Sequence, residues 1–235
     1  THGWVVRADA AIASLRAAAL SGADRGDWVS ACRAAYEAWV TPRQSPGAVK
    51  LEEVVHWLSA NLPEDAIVTN GAGNYAAWLH RYFTYKQHGT QLAPTSGSMG
   101  YGFPASVAAS LEHPDRTVAC MAGDGCFQMT LNEMSTAAQY GAKPIVVVAN
   151  NGRYGTIRMH QERHYPGRIS GTMLANPDFA ALARAYGGHG EVVTATGEFP
   201  AAFERAQDSG TLAVIELKLD EDALSPSLTL SGMKA

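Results

Sequence analysis

Runs of apolar residues recur along most of this chain, and each is long enough for one buried strand. The clearest run, residues 145–149, contains no polar side chain. The same pattern predicts strands at 66–69, 90–92, 117–121, 145–149, 191–193 and 212–217. Continuously apolar strands are typical of a parallel sheet that is covered on both faces.

Helical patterns alternate with these strands. They are predicted at 8–20, 27–40, 51–61, from about residue 75, and at 101–111, 131–140, 177–186 and 198–208. The alternation predicts an α/β fold with a doubly wound, mostly parallel sheet that carries helices on both faces. Residues 153–175 have few turn or core signals, and we expect them to form a long loop that is mobile without its ligand.

Pro, Ser and Gly cluster in residues 41–47, after the first two helices, and predict a linker. We therefore expect three parts. A short helical segment with its linker occupies 1–47, an α/β domain occupies 48–220, and a C-terminal tail occupies 221–235.

Segments rich in Gly and Asn follow three of the predicted strands, at 70–74, 123–125 and 150–152. Parallel strands bring their carboxyl ends to one edge of the sheet, where ligands bind, so these segments predict one site. A carboxylate next to a bound phosphate requires a cation between them, and the oxygens of Asp124 and Asn151 suit Mg²⁺. The alternative is a structural turn in which Asp124 caps the following helix.

The Gly-Asp-Gly segment at 123–125, followed one helix and one strand later by Asn-Asn at 150–151, resembles thiamine-diphosphate (ThDP) dependent enzymes. Segments 97–105, 130–137 and 176–180 are also similar to the acetolactate synthase-like family. The resemblance extends over about residues 49–219. It implies the diphosphate-binding (PP) domain fold, with ThDP and Mg²⁺ as cofactors.

The resemblance also implies a role for individual residues. Asp124 and Asn151 would bind the metal through side chains, and Arg153 through its backbone carbonyl. Tyr75 stands where acetolactate synthases have His, and Met99 matches an apolar residue that bends the cofactor, although an ordinary core methionine is the alternative. The implied cofactor-binding residues are Gly73, Asn74, Tyr75, Gly97, Met99, Gly123, Gly125, Cys126, Tyr154, Gly155 and Thr156.

In the family, a glutamate that activates the cofactor lies on a separate pyrimidine-binding domain, so no catalytic residue is expected in this chain. The resemblance implies a partner domain of the same protein or of another subunit, and a homo-oligomer, either a dimer or a tetramer. The first helices resemble the end of the family's central domain. We therefore expect a fragment that is inactive alone, from a transferase or lyase that decarboxylates a small 2-oxo acid, with carboligation or related chemistry.

Substrate selection in this family falls partly on residues 156–168. His160 stands where acetohydroxyacid synthases usually have Trp. Arg158, His160, Arg163 and His164 offer positive groups to a substrate carboxylate, or are solvent-facing loop charges.

Two other functions remain open. Residues 71–76 fit the dinucleotide pattern G-x-G-x-x-A, but the acidic residue that NAD requires about 20 positions later is missing. Arg81 or Lys86 could still serve NADP. A non-catalytic ThDP-binding subunit is the other alternative.

Composition narrows the class of protein. The chain is 46% hydrophobic and 17% charged, with a net charge of −4, so neither a nucleic-acid partner nor a membrane span is expected. Its three cysteines form neither an even disulfide framework nor a CxxC pair, which favours reduced thiols in a cytoplasmic protein.

Overall fold

The computed structural model describes residues 5–18, 22 and 25–233. The chain divides into two compact units, at 1–41 and 42–235. The first unit contains helices α1 (Ala8–Ala17) and α2 (Gly26–Val40), and neither helix buries a residue. Trp28 and Trp39 on α2 are exposed. Residues 19–20 of the first predicted helix lie outside the described residues.

The second unit alternates helices and strands, as predicted. Its helices are α3 (Leu51–Asn61), α4 (Ala76–Tyr82), α5 (Gly102–Glu112), α6 (Asp124–Gln128), α7 (Met134–Tyr140), α8 (Gly155–His164), α9 (Phe179–Ala185) and α10 (Phe199–Asp208). Its strands are β1 (Ile67–Asn70), β2 (Gln91–Leu92), β3 (Val118–Gly123), β4 (Ile145–Asn150), β5 (His189–Val193), β6 (Ala213–Lys218), β7 (Ala223–Ser225) and β8 (Leu228–Thr229).

Strands β1 to β6 form one parallel sheet in the order β2-β1-β3-β4-β6-β5. Side chains alternate between its two faces, so each strand contributes to two cores. Val147 of β4 belongs to one core, together with residues of α3, α4 and α10, whereas Val146 and Val148 belong to the other, together with residues of α5, α7 and α9. The doubly wound α/β fold is confirmed.

The boundaries of the α/β unit differ from the expected 48–220. Ser45, in the predicted linker, is held against α3 because its backbone N–H and hydroxyl both donate to Glu52, at 2.7 and 2.5 Å. At the other end, β7 and β8 form an antiparallel hairpin, and Leu224 is 1% exposed. The segment expected as a tail is therefore folded structure as far as residue 233; residues 234–235 lie outside the described residues.

The expectation of one long loop at 153–175 is wrong for its first part, because α8 covers Gly155–His164. The helix carries few apolar residues, but Arg158 and Glu162, one turn apart, are both buried and form an ion pair at 2.5 Å. This polar pair replaces the apolar contacts that a helix usually buries.

Candidate functional site: the carboxyl edge of the sheet

Strands β1 and β3 are neighbours, but the chain leaves them in opposite directions, toward β2 and toward β4. Ligands in open α/β sheets bind at such a switch point, outside the carboxyl ends of the strands. A cavity of about 560 Å³, including the part that opens to solvent, lies at this place.

Every residue predicted to bind the metal or the cofactor, except Gly97, lines this cavity. The lining includes Gly73, Asn74, Tyr75, Met99, Gly123, Asp124, Gly125, Cys126, Asn151, Arg153, Tyr154, Gly155 and Thr156. Gly97 is exposed and has φ +70°, a left-handed backbone conformation that glycine adopts without strain.

Asp124 is the first residue of α6, directly after β3, and is 3% exposed. Its Oδ1 accepts from Gly125 N at 2.9 Å, and its Oδ2 accepts from Gly152 N at 2.9 Å and Asn176 Nδ2 at 2.7 Å. Burial raises the pKa of Asp124 above its ordinary value, although these neutral donors lower it in part. The site thus holds a desolvated carboxylate whose hydrogen-bond donors carry no positive charge.

The segment after β4 approaches Asp124 from the neighbouring strand. Gly152 N donates both to Asp124 and to Asn150 Oδ1, each at 2.9 Å. Asn151 lines the cavity, and its Oδ1 accepts from Arg153 N at 3.3 Å. The convergence predicted from sequence for the segments at 123–125 and 150–152 is therefore present.

The glycines of the Gly-Asp-Gly segment make room for aromatic rings. A Cβ at Gly123 would lie 2.7 Å from the Tyr75 ring, and one at Gly125 would lie 2.5 Å from the Tyr154 ring. Since these distances are shorter than van der Waals contact, both rings depend on glycine to line the cavity.

Tyr75 and Cys126 are in contact within the cavity wall. The Tyr75 hydroxyl donates to Cys126 Sγ at 3.2 Å, and Gly100 N donates to the same sulfur at 3.1 Å. Burial, and then the neighbouring Cys126, hold the pKa of Tyr75 well above 10. Tyr75 is therefore a neutral phenol at physiological pH.

Asn74 connects the loop after β1 to the start of α8. Its Oδ1 accepts from the Thr156 hydroxyl at 2.9 Å, and its backbone N–H donates to the same hydroxyl at 3.0 Å. Two segments that were predicted separately to bind the cofactor thus support one another directly.

The four basic residues of α8 do not act as a group. Arg158 is 1% exposed and pairs with Glu162, so it is not available to a substrate, and it is not a solvent-facing charge either. His160, Arg163 and His164 are exposed, and the rings of the two histidines stack with centroids 6.2 Å apart.

The possible metal ligands decide whether the carboxyl edge of the sheet fits ThDP with Mg²⁺. Among residues 5–18, 22 and 25–233, no three His, Cys, Asp or Glu side chains converge to hold a metal ion. A cation here would depend on the Asp124 carboxylate, amide and backbone oxygens, and oxygens of phosphate and water. Mg²⁺ is commonly held in that way, so the residues fit a diphosphate with Mg²⁺.

Comparison with known proteins identifies the family and the fold. The family described as "Thiamine pyrophosphate enzyme, C-terminal TPP binding domain" matches residues 71–217. The chain belongs to this family. It contains the C-terminal ThDP-binding domain of a thiamine pyrophosphate enzyme of the acetolactate synthase-like type, as the resemblance indicated.

Two curated relatives of this thiamine pyrophosphate domain are acetolactate synthases. The large subunit from Haemophilus influenzae is 33% identical over 182 residues, which cover 76% of this chain and 32% of the relative. The isozyme 2 large subunit from Escherichia coli is 30% identical, over 83% of this chain and 36% of the relative. The chain spans about a third of the length of these relatives.

A solved structure is also similar. The ThDP-dependent 4-hydroxybenzoylformate decarboxylase of Rhodococcus jostii RHA1 superposes with a TM-score of 0.71 and 30% identity, over 77% of this chain and 35% of that one. The Gly71 segment, which also fits a dinucleotide pattern, lies inside the matched ThDP domain. Arg81, considered for NADP, is buried and lies over the Tyr82 ring, 5.2 Å from its centroid.

Sequence reasoning missed part of the cavity wall of the thiamine pyrophosphate domain. Trp78 of α4, Ile157 of α8, and Leu219, Ala223 and Leu224 near the C-terminal hairpin all line it. An apolar residue beside a motif gives no signal of its own. The contribution of the hairpin depends on long-range packing that no local pattern shows.

Proposed function

We propose that this chain supplies the diphosphate and Mg²⁺ end of a ThDP-dependent active site that acts on a small 2-oxo acid. The observation that supports it best is the buried carboxylate of Asp124, which lies beside Asn151 in a cavity of the ThDP-binding domain. Asp124 and Asn151 would hold Mg²⁺ through side chains and Arg153 through its carbonyl. Gly73, Asn74, Tyr75, Met99, Gly123, Gly125, Cys126, Tyr154, Gly155 and Thr156 would contact the cofactor, and Gly97 would shape the turn before Met99.

When bound, the cofactor would supply a nucleophilic ylid and stabilisation of negative charge at the carbonyl carbon of the substrate. The residues of this chain bind and orient the diphosphate end and exclude water with the apolar side chains of the cavity. The group that activates the cofactor is proposed to lie on a pyrimidine-binding domain, in the same full-length protein or in another subunit of a cytoplasmic dimer or tetramer. The exposed apolar side chains of α1 and α2 support the proposal that residues 1–41 belong to a further domain.

Acetolactate synthase-like chemistry, decarboxylation with carboligation, is the activity we propose for the complete enzyme. Ile157 is exposed and lines the cavity, and His160 and His164 follow it at helical spacing on α8. We propose that these histidines and Arg163 face the carboxylate of the substrate.

A Mg²⁺-dependent titration tests the cofactor assignment. ThDP should quench the fluorescence of Trp78, which lines the cavity, with Mg²⁺ but not with EDTA. Asp124→Ala should weaken the binding at least tenfold, whereas Asp208→Ala, at the exposed last residue of α10, should not. An Asp124→Ala variant that binds like the wild type would contradict the assignment.

The alternative is a non-catalytic ThDP-binding subunit. A second assay distinguishes it from part of an enzyme. This chain alone should release no CO₂ from pyruvate, and a pyrimidine-binding domain supplied in trans should restore release. Binding of ThDP without any release, with every supplied pyrimidine domain, would favour the non-catalytic subunit.

A further inference from the structure

Asn176 lies far from both metal-binding motifs in sequence, in the segment before α9, yet its side chain contacts both. Its Nδ2 donates to Asp124 Oδ2 at 2.7 Å and to Asn150 Oδ1 at 2.8 Å. An amide nitrogen has two N–H donors, so Asn176 uses one for each motif.

A third hydrogen bond, to the amide oxygen, fixes the orientation of the Asn176 side chain. Asn176 Oδ1 accepts from Gln128 Nε2 at 2.5 Å, at the C-terminal end of α6. If the Asn176 amide turned over, its oxygen would face the Asp124 carboxylate, and its nitrogen would face the donor of Gln128. Both contacts would be repulsive, so the observed orientation is the stable one.

The backbone at Asn176 is also held in place. Asp178 caps α9 through Ala181 N at 2.8 Å, and Phe179 packs edge-on against Phe127, with ring centroids 5.6 Å apart. Phe127 belongs to α6, the helix that begins at Asp124. The segment that carries Asn176 is thus packed onto the helix that carries the carboxylate.

The Asn150 amide is also fixed by a hydrogen bond from its other end. Its Nδ2 donates to Glu216 Oε1 at 2.5 Å, and this buried oxygen also accepts from Lys218 Nζ at 2.5 Å. The result is one chain of hydrogen bonds from Gln128 through Asn176 and Asn150 to Glu216, with Asp124 attached at Asn176.

We propose that Asn176 is a positioning residue for the metal site, which aims the Asp124 carboxylate and sets its spacing from the Asn150–Asn151 segment. This inference rests on the proposed role of Asp124 as a Mg²⁺ ligand. A neutral donor suits the task, because the positive charge of an Arg or Lys at this place would neutralise the negative charge that the carboxylate offers to the metal. Partners that orient a metal ligand typically change metal affinity 10- to 100-fold when they are removed, so about that loss is expected here.

The test separates affinity for Mg²⁺ from affinity for ThDP, in the full-length protein that contains this chain. Trp fluorescence or calorimetry would follow a Mg²⁺ titration at saturating ThDP and a ThDP titration at saturating Mg²⁺. Asn176→Ala should raise the half-saturating Mg²⁺ concentration about tenfold or more, while ThDP affinity at saturating Mg²⁺ returns close to the wild-type value. Asp124→Ala should not be rescued by Mg²⁺.

Matched variants complete the design. Asn132→Ala, at an exposed asparagine, should leave both titrations unchanged. Gln128→Ala removes only the hydrogen bond to Asn176 Oδ1 and should raise the half-saturating Mg²⁺ concentration by a smaller factor, about threefold or more. If Asn176→Ala does not fold, Gln128→Ala provides the test. A wild-type Mg²⁺ requirement in both Asn176→Ala and Gln128→Ala, with a defect in Asp124→Ala, would overturn this inference alone. A wild-type titration for Asp124→Ala would overturn the metal assignment itself.

Discussion

Cys120 lies in the middle of β3 and is fully buried. Burial raises the pKa of its thiol to about 12, from an ordinary value of 9.0, although hydrogen bonds from Thr69 and Ser106 lower it in part. Burial also raises the pKa of the Tyr85 hydroxyl to about 12. Both groups stay neutral in the folded chain at pH values where the unfolded chain releases their protons.

The folded protein should therefore lose stability at alkaline pH. A group whose folded pKa is raised stabilises fully below its unfolded pKa, and this contribution is lost as pH rises toward the folded pKa. Urea unfolding under reducing conditions should show a free energy of unfolding that falls above pH 9, by at most about 1.4 kcal/mol per pH unit for Cys120.

The variant Cys120→Ala isolates this contribution, and Cys32→Ala, at an exposed cysteine, is its control. Between pH 9 and 10, Cys120→Ala should show a smaller fall than the wild type, and Cys32→Ala should not differ from it. An equal slope in all three proteins would show that Cys120 does not contribute.

Asp124 and Asn151 could be predicted because both the residue type and its place after an apolar strand are visible in the sequence. Asn176 could not be assigned a role in that way. Its segment was recognisable, but its contacts depend on which way an amide faces and on packing between α6 and α9.

Helix α8 shows the limit of hydrophobic patterning. Apolar residues on one face are the sequence signal of an amphipathic helix, whereas α8 buries the ion pair of Arg158 and Glu162. The other helices of the α/β unit were predicted to within a few residues, with the exception of the short α6, and their buried faces are mostly apolar. The hairpin of β7 and β8 was missed because its strands are only three and two residues long.

Removing one member of the buried pair should destabilise the structure around α8. Arg158→Met breaks this ion pair and removes the positive charge beside the buried Glu162 carboxylate, a change that typically costs about 3–5 kcal/mol. The double variant Arg158→Met with Glu162→Leu should recover most of this loss, because neither charge remains buried. Urea unfolding, with hydrogen exchange of the α8 amides, measures both.

Arg163→Met changes an exposed arginine of the same helix and serves as the control. It should alter stability by less than about 0.5 kcal/mol. If the double variant is as unstable as Arg158→Met, the loss does not come from breaking the ion pair of Arg158 and Glu162.

The two cores of the sheet depend on aromatic residues at different places. On one face, Phe203 of α10 is 1% exposed, and its ring lies 5.3 Å from that of Trp57 on α3, centroid to centroid. On the other face, Phe127 packs between Phe103 and Phe179. The sequence predicted both layers, since apolar strands require cover on each side, but not which rings would meet.

Phe203→Ala should lower the free energy of unfolding by about 3–5 kcal/mol, because it leaves a cavity between α10 and α3. Glu204→Ala, its exposed neighbour, should have little effect. Since Phe203 does not line the cavity of the site, ThDP affinity measured well below the unfolding transition should stay at its wild-type value. A loss of affinity in folded Phe203→Ala would show that this core and the site are coupled.

The wall of the cavity near the C-terminal hairpin has a consequence for biosynthesis. Asp124 and Asn151 leave the ribosome well before Ala223 and Leu224, which complete that wall. A nascent chain therefore carries the ligands for a time without the apolar enclosure around them. Stable capture of the cofactor should be an event that follows synthesis of β7, not one that guides the folding of the strands before it.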